Sequence, residues 1–459
     1  MKQRYDVAII GGGPAAIFAA YEFTEKYPQL SVVIIEEGRP VDKRICPIVA
    51  GKVQQCQRCT PCAIMRGFGG AGAFSDGKYN FTTEFGGWLT DYLPKKTVMD
   101  LIDYVDQLNL RHGAPGEYFS TKNATIGKKA LGFDLHLLNA KVRHLGTENN
   151  LKIMESIFKF LSDKVDIFCQ TKVETFSKKG EEFQIHTDKG DTSSKYLIAA
   201  PGRAGAEWFT KESEKLGLKF TSNQVDVGVR VEVPAQVFKH ITDEVYEAKL
   251  LYRTKKYNDL VRTFCMNPNG YVVAENTDGI ITVNGQSFAD PKLQSENTNF
   301  AILVSNTFTS PFTEPHQYGK RIASFSNMLG GGVLLQRFGD LTHGRRTNTR
   351  RLLKSFTKPT LAATPGDLSL VLPKRQLDDI IEMIYALDKV APGMANDDTL
   401  LYGVEVKFYS SRLELDKHLE TKIPNLFAVG DGAGITRGLS QASASGVFVA
   451  REIGERAKL

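Results

Sequence analysis

The sequence predicts an α/β protein in which a parallel sheet is assembled from both ends of the chain and a second, α+β domain is inserted between them. Three observations carry this. Residues 6–20, DVAIIGGGPAAIFAA, read as an apolar strand, a glycine turn and a helix. Residues 196–202, YLIAAPG, read as another apolar strand running into a small-residue turn. Residues 423–446, IPNLFAVGDGAGITRGLSQASASG, read as a strand ending in Gly-Asp, then a loop and a helix of small residues.

Val7–Ile10 is the short apolar run that a strand buried on both faces needs. Gly11, Gly13 and Ala16 take the G-x-G-x-x-A positions. The glycines admit a pyrophosphate close to the backbone, and the helix N-terminus faces its charge. The helix of residues 14–26 leads to a strand at Ser31–Ile35, and Glu36 at its end can accept hydrogen bonds from an unphosphorylated ribose. FAD and NAD share these features, so the rest of the chain has to separate them. Tyr196–Gly202 resembles the Ala-Thr-Gly segment of two-domain flavoproteins, with Pro201 where Thr usually stands, and Phe427–Asp431 resembles their terminal motif, whose aspartate holds a ribitol hydroxyl. A helix opening at Gly438–Gly446 would point its amides at the pyrimidine edge of a flavin, where negative charge appears on reduction. A plain NAD dehydrogenase has no use for this return. The expected cofactor is therefore FAD, in a discontinuous Rossmann-like FAD-binding domain.

The division that follows places residues 1–204 and 401–459 in the FAD-binding domain and 205–400 in a substrate or cap domain. Strands are expected near Val165–Phe168, Lys172–Phe176, Glu182–Thr187 and Tyr196–Ala200, then at Val225–Val233 and Ile280–Val283. Helices are expected at Thr97–Asn109 and Leu377–Asp388 from their apolar spacing. With 459 residues, 42% of them hydrophobic, the chain can fill ordinary globular cores. No apolar run reaches the length of a membrane span and Met1–Arg4 is too short for a signal peptide, so the expected location is the cytoplasm. A net charge of +6 does not by itself argue for nucleic acid.

Four of the six cysteines crowd into Cys46-Pro47 and Cys56-x-x-Cys59-x-x-Cys62. Three close thiolates and a remote Cys-Pro are the ligand inventory of a [4Fe–4S] cluster, although ferredoxins place the remote member afterwards. The same four thiolates suit a structural zinc, and Cys56/Cys59 or Cys59/Cys62 suit a redox disulfide facing the flavin, with Arg58 and nearby basic groups favouring a thiolate. Cys169 and Cys265 sit in apolar strands and read as buried small hydrophobes. The segment Gly67–Lys78, GFGGAGAFSDGK, is so rich in glycine that its backbone must approach something closely, and it reads as a wall of the flavin pocket.

The strings CPIVAGKVQQCQRCTPCAIMRGFGGAGAFSDGKYNFTTEFGGWL, APGRAGAEW, DVGVRVEVP, LLYGVEVKFYSSR and LFAVGDGAGITRGLSQASASG resemble a family of FAD-dependent dehydrogenases of bacteria and archaea. The glutathione-reductase-type flavoproteins are its broader relatives. The resemblance implies an FAD fold and a redox role but no substrate. It implies that Gly11, Gly13, Ala16 and Glu36 bind the adenosine half, Val173 contacts adenine through its backbone, Asp431 holds ribitol, and Gln441 and Ala442 neighbour the ring. Pro14, Ala15, Glu37, Gly70, Ala71, Gly72, Ser75, Gly77, Lys78, Ala200, Pro201, Gly202, Gly430 and Leu439 complete the expected cofactor set. Lys78, Asp76, Ser75 and Arg437 are the candidate catalytic residues, Lys78 as a charge offsetting the reduced ring.

A disulfide reductase that uses NAD(P)H needs a second glycine fingerprint in mid-chain, and Leu329-Gly330-Gly331-Gly332-Val333 lacks both the spacing and a following acid. NAD(P)H therefore remains a transient donor at most. The expected reaction is transfer of a hydride or electrons between flavin N5 and a small molecule or a redox partner protein, with a cluster as a possible single-electron outlet. Arg230, Lys407, Arg412 and Arg437 are possible substrate anchors, while His136, His343 and His418 read as isolated polar residues. Two further readings stay open: a non-catalytic redox carrier, and a tRNA-modifying flavoprotein using Gly344–Lys354 as a basic helix face, against which stand the modest charge and missing aromatics.

Overall fold

The apolar run at the start of the chain forms β1 (Arg4–Ile10), followed by α1 (Pro14–Lys26) and β2 (Val32–Ile35) in a parallel crossover. The computed structural model describes residues 1–458 except 54, 55, 121, 123, 278, 313, 408 and 409. β2 starts one residue later than expected because Ser31 is committed to Asp6, its amide and hydroxyl donating to Asp6 Oδ2 at 2.8 and 2.7 Å. β3 (Asp166–Phe168) extends the sheet beyond β2. β4 (Val173–Lys179), β5 (Glu182–Thr187) and β6 (Gly190–Ala199) form an antiparallel meander. β6 is long enough to serve two purposes. Its last residues lie parallel between β1 and the short strand Leu426–Ala428, so the chain's two ends meet in one sheet. Residues 190–195 were not expected as strand, because GDTSSK shows no apolar alternation. Here the polar side chains are buried by pairing: Thr192 Oγ1 donates to the Lys2 carbonyl at 2.8 Å and Ser193 Oγ to Glu182 Oε2 at 2.9 Å.

The C-terminal helix Leu439–Lys458 packs along α1 so closely that a Cβ on Gly446 would lie 2.0 Å from the Ala15 carbonyl oxygen. Glu22, fully buried, accepts from Arg451 Nε at 2.6 Å across the same contact.

The second domain is an eight-stranded, almost wholly antiparallel sheet. Its labelled strands are β7 (Val225–Pro234), β8 (Leu250–Arg253), β9 (Leu260–Asn267), β12 (Asn297–Asn306), β13 (Leu334–Arg337) and β14 (Leu400–Lys407); β10 (Tyr271–Thr277) and β11 (Ile280–Gln286) form a separate ribbon. The order is β13-β14-β7-β12-β9-β8, with Thr364–Pro365 at the β13 margin and Leu135–Leu137 at the β8 margin. Helices Ala235–Val245 and Lys374–Val390 cover one face through Phe238, Ile241, Ile380 and Met383.

Two expectations change here. The helix Gly202–Lys215 packs Phe209 into the first core, and β14 is an inner strand of the second sheet, so the second domain runs from about Val225 through Lys407 rather than over 205–400. Of Gly344–Lys354 only Thr349–Lys354 is helical, and Arg337, Arg345 and Arg351 converge on the buried Asp340 at 3.4, 2.8 and 3.6 Å; these cations neutralise a carboxylate instead of forming a stripe. Leu329–Val333 is the end of the helix Pro315–Gly330, with Gly331 as its left-handed cap. Among the described residues no helix is long and apolar enough to cross a membrane.

Candidate functional site

A cavity of about 1490 Å³ runs from the C-terminal ends of β1 and β6 to the face between the two domains. That exceeds the ~300–1,000 Å³ of an ordinary small-ligand site. At its nucleotide end Gly11 has a φ of +103°, and a Cβ there would lie 2.2 Å from the Ala200 carbonyl oxygen. Glu36 does more than the sequence assigns to it. Its Oε2 accepts from the amide of Gly12 at 2.6 Å, and its Oε1 from those of Gly38 and Gly67 at 2.7 and 2.8 Å. These bonds lock the glycine turn, the end of β2 and the glycine-rich wall together, leaving about one of the carboxylate's four acceptor positions for a ligand.

Gly11, Gly13, Pro14, Ala15, Glu36, Glu37, Val173, Ala200, Pro201, Gly202, Gly430, Asp431, Leu439 and Ala442 line this cavity, as do Gly70, Ala71, Gly72, Ser75, Asp76 and Lys78 of the wall. Three expected residues do not. Ala16 is fully buried in the close packing of α1, and Gly77 lies against Leu145. Gln441 braces a loop, donating to the Phe85 carbonyl at 3.2 Å and accepting from the Leu89 amide at 3.3 Å. Asp431 Oδ1 accepts from Thr436 Oγ1 at 2.8 Å and the Gly438 amide at 3.2 Å, while its Oδ2 has no hydrogen-bond partner among the described residues. Burial raises the Asp431 carboxyl above its ordinary value, against the nearby charge of Arg203.

The wall is held by a residue that sequence reasoning missed. Arg44, 4% exposed, donates to the carbonyls of Ala63, Ile64 and Phe68 at 2.9, 2.7 and 2.7 Å and lies over the Phe74 ring. Burial pushes its guanidinium down to about 10, still charged at neutral pH. An isolated arginine before a cysteine carries no sequence signal of this role.

Lys78 is anchored at the domain junction, its Nζ 2.8 Å from Asp76, 2.6 Å from the Met266 carbonyl, 2.8 Å from Asn267 Oδ1 and 3.6 Å from Glu247. Burial would lower this ammonium, but Asp76 and Glu247 hold it well above its ordinary value; it is a fixed positive charge, not a proton donor. Burial likewise works against the Asp76 carboxylate, but Lys78 and His144 prevail and hold it below the usual range. Ser75 is turned to structure, its hydroxyl donating to the Gly72 carbonyl at 2.7 Å. Arg437 lines the cavity 3.3 Å from Asp226, and burial together with Arg262 brings it down to about 9.

The other proposed anchors divide. Lys407 lines the cavity, 2.7 Å from Glu405. Arg230 is fully buried behind it on Glu405 and Asn299, and Arg412 pins Tyr92 and Asp91 at 2.9 and 2.8 Å. Glu247, Lys249, Arg262 and Phe264 also border the cavity and were not foreseen. Alternation in β9 does put Arg262 and Phe264 on one face, but it cannot say that the face borders a cleft. Cys265, expected as inert core, lines the cavity with its thiol raised by burial.

Beside Lys78, the buried His144 ring pairs through Nδ1 with Tyr246 Oη at 2.8 Å and through Nε2 with Ser287 Oγ at 3.2 Å. Burial depresses His144 to about 4, more than the Asp76 charge can offset. The folded value lies below the unfolded value of about 6.5, so the unfolded chain takes up the proton first. Stability from this group is complete above about pH 6.5 and is lost as pH falls toward 4, to the order of 3 kcal/mol. Thermal melts from pH 7 to 4.5 should show a steeper loss in the wild type than in His144→Gln; parallel curves would refute it.

Cys46, Cys59 and Cys62 line the cavity too, while Cys56 packs against the patch of Val272, Ile281 and Tyr402 in the second domain. Burial raises the Cys62 thiol, and the neighbouring Cys46 and Cys56 add to it, the reverse of the activation expected from Arg58. Among the described residues no group of three or more His, Cys, Asp or Glu side chains is arranged to hold a metal ion. Cys46, Cys56, Cys59 and Cys62 are not gathered into such a group in this structure.

A parallel sheet closed by both chain ends, a glycine turn feeding a helix N-terminus, and an acid at the end of β2 together define a dinucleotide-binding α/β fold. Residues 224–408, which hold every strand of the second sheet except Leu135–Leu137, match the family model described as FAD-dependent protein, C-terminal domain-like. The chain is similar to an uncharacterized protein of Clostridium beijerinckii, 26% identical over 468 residues that cover 98% of this chain and 80% of the other. Among solved structures it is similar to L-proline dehydrogenase from P. horikoshii, with TM-score 0.45, 11% identity and coverage of 99% and 95% of the two chains. It is also similar to glycine oxidase from Geobacillus kaustophilus, with TM-score 0.40, 12% identity and coverage of 100% and 94%.

Proposed function

We propose that this protein is an FAD-dependent oxidoreductase acting on a small molecule held between its two domains. The observation that carries the reading is Asp431: a carboxylate delivered by the chain's far end into the cavity opened by Gly11 and Glu36, with one oxygen left unpartnered. The residues fit the group. Glu36 has an acceptor position for the adenosine ribose, the first turn of α1 faces a pyrophosphate, Asp431 Oδ2 can take a ribitol hydroxyl, and Val173 borders the adenine position. Leu439 and Ala442 line the cavity at the start of the C-terminal helix and would neighbour the ring of a bound flavin. FAD, when bound, supplies acceptance and release of a hydride or of single electrons.

The chain supplies fixed charge and a partly apolar lining. Lys78 stays protonated and would offset negative charge developing near it, and Phe264 and the glycine-rich wall line the cleft. NAD(P)H as electron donor would have to visit this cleft, since no second glycine fingerprint accompanies it. Protein purified without added cofactor should show flavin absorption and release one FAD per chain on denaturation. Colourless protein that refuses added FAD would sink the proposal.

The lining position of Cys46, Cys59 and Cys62 favours a second reading, in which two thiols pass their electrons to the flavin. Two S–H bonds break, one S–S bond forms, and two electrons leave with two protons. In that case thiols titrated per unfolded chain should fall from six to four after anaerobic exposure to oxidised flavin; six throughout would exclude it. Iron, sulfide and zinc analysis of the same anaerobic sample tests the metal alternatives.

A further inference from the structure

We infer that the inter-domain end of the cavity binds an organic anion, its charge held by the cations gathered around Phe264 and its apolar body resting on that ring. The site rests on the flavin reading only in that the bound molecule would face the ring; its charges belong to the protein.

Four cations surround one aromatic side chain. Lys249, Arg262, Lys407 and Arg437 stand 5.5, 5.2, 5.7 and 5.1 Å from the Phe264 ring centroid, inside the ~6 Å over which a ring face attracts a cation. All five residues border the cavity, and the lysine side chains are 8% exposed and the arginines 16%. Their carboxylate partners are shared. Asp226 serves both arginines, Glu405 serves Lys407 and also Arg230, and Glu247 lies 3.5 Å from Lys249 and 3.6 Å from Lys78. With Asp76 on Lys78, the cluster holds six cations (Lys78, Arg230, Lys249, Arg262, Lys407, Arg437) against four carboxylates (Asp76, Asp226, Glu247, Glu405), an excess of two positive charges among the described residues. Across the cavity Glu275 and Asp431 both face Arg203, which brings the excess to one positive charge among the described residues.

Uncompensated charge taken out of water is costly. Burial, and after it the charge of Arg262, lowers the Arg437 guanidinium although Asp226 opposes both. An anion entering here relieves that cost, and the ring beneath selects one with a flat or apolar body. A carboxylate attached to an aromatic or aliphatic skeleton meets both demands. Inorganic anions meet only the first.

Benzoate is the probe, benzamide its neutral match in shape, and both are titrated into the flavin-loaded protein at fixed ionic strength. Binding is read by the visible difference spectrum and by calorimetry. Saturable benzoate binding is expected, at least tenfold tighter than benzamide. Lys249→Met and, separately, Lys407→Met should each weaken it at least fivefold while the flavin spectrum, the sign of a folded protein, is retained. A coloured protein with no benzoate heat, equal affinity for benzamide, or folded variants binding like the wild type would overturn the inference. A colourless protein that still prefers benzoate would uphold the anion site and sink the flavin reading instead.

Discussion

Gly11→Val should yield little soluble protein, and what is recovered should carry no flavin. The Cβ would stand 2.2 Å from the Ala200 carbonyl oxygen at a φ of +103°. A non-glycine residue at that φ costs about 1–3 kcal/mol, and overpacking adds about as much again or more. The sum is a large part of the ~5–15 kcal/mol that holds a domain together. Gly13→Ala is the matched control. Gly13 has an ordinary φ of −80°, and the nearest atom to its added Cβ is Gly70 Cα at 4.0 Å. It should fold normally and lose only cofactor affinity, because its methyl enters the space a pyrophosphate needs. Soluble yield, FAD per chain and the urea midpoint distinguish the two variants. A soluble, flavin-loaded Gly11→Val would show that β1 and β6 are not packed as described.

The second large effect is expected at Glu36, and in the protein stripped of flavin. Each buried amide left without an acceptor costs ~1–3 kcal/mol, so Glu36→Ala, which deserts Gly12, Gly38 and Gly67 together, should destabilise by at least ~3 kcal/mol. Glu36→Gln keeps one oxygen but turns a donor on at least one of the three amides, and should cost ~1–3 kcal/mol. If Glu36 served only a ribose, flavin-free Glu36→Gln would melt with the wild type. Coincident melts would therefore return this residue to a ligand-binding role alone.

The nucleotide end of the cavity was legible because each of its parts has a local signature. A glycine turn, a capping helix and a terminal acid are specified by neighbours in sequence, and Gly11, Glu36, Val173 and Asp431 all reach the cavity. At the other end only Lys407 and Arg437 were foreseen. Lys249, Arg262 and Phe264 come from β9 and its approach, and only the packing of two sheets brings them to one ring with those two. Ser75, Arg230 and Gln441 went the other way. Their types suggested chemistry, but their partners are the Gly72 carbonyl, Glu405 and the loop at Phe85. The strand Leu135–Leu137 is too short to show a period, and the polar half of β6 disguises itself because its hydroxyls are satisfied across the sheet.

That three-residue strand has a consequence for anyone cutting the gene. It pairs with Leu250–Arg253 along the sheet margin although more than a hundred residues separate the two in sequence. A fragment trimmed to 224–408, where the family resemblance lies, would leave that margin bare and open to self-association. The region that matches the family model stops short of the sheet it belongs to, and a fragment made for study should keep the residues around Leu135–Leu137.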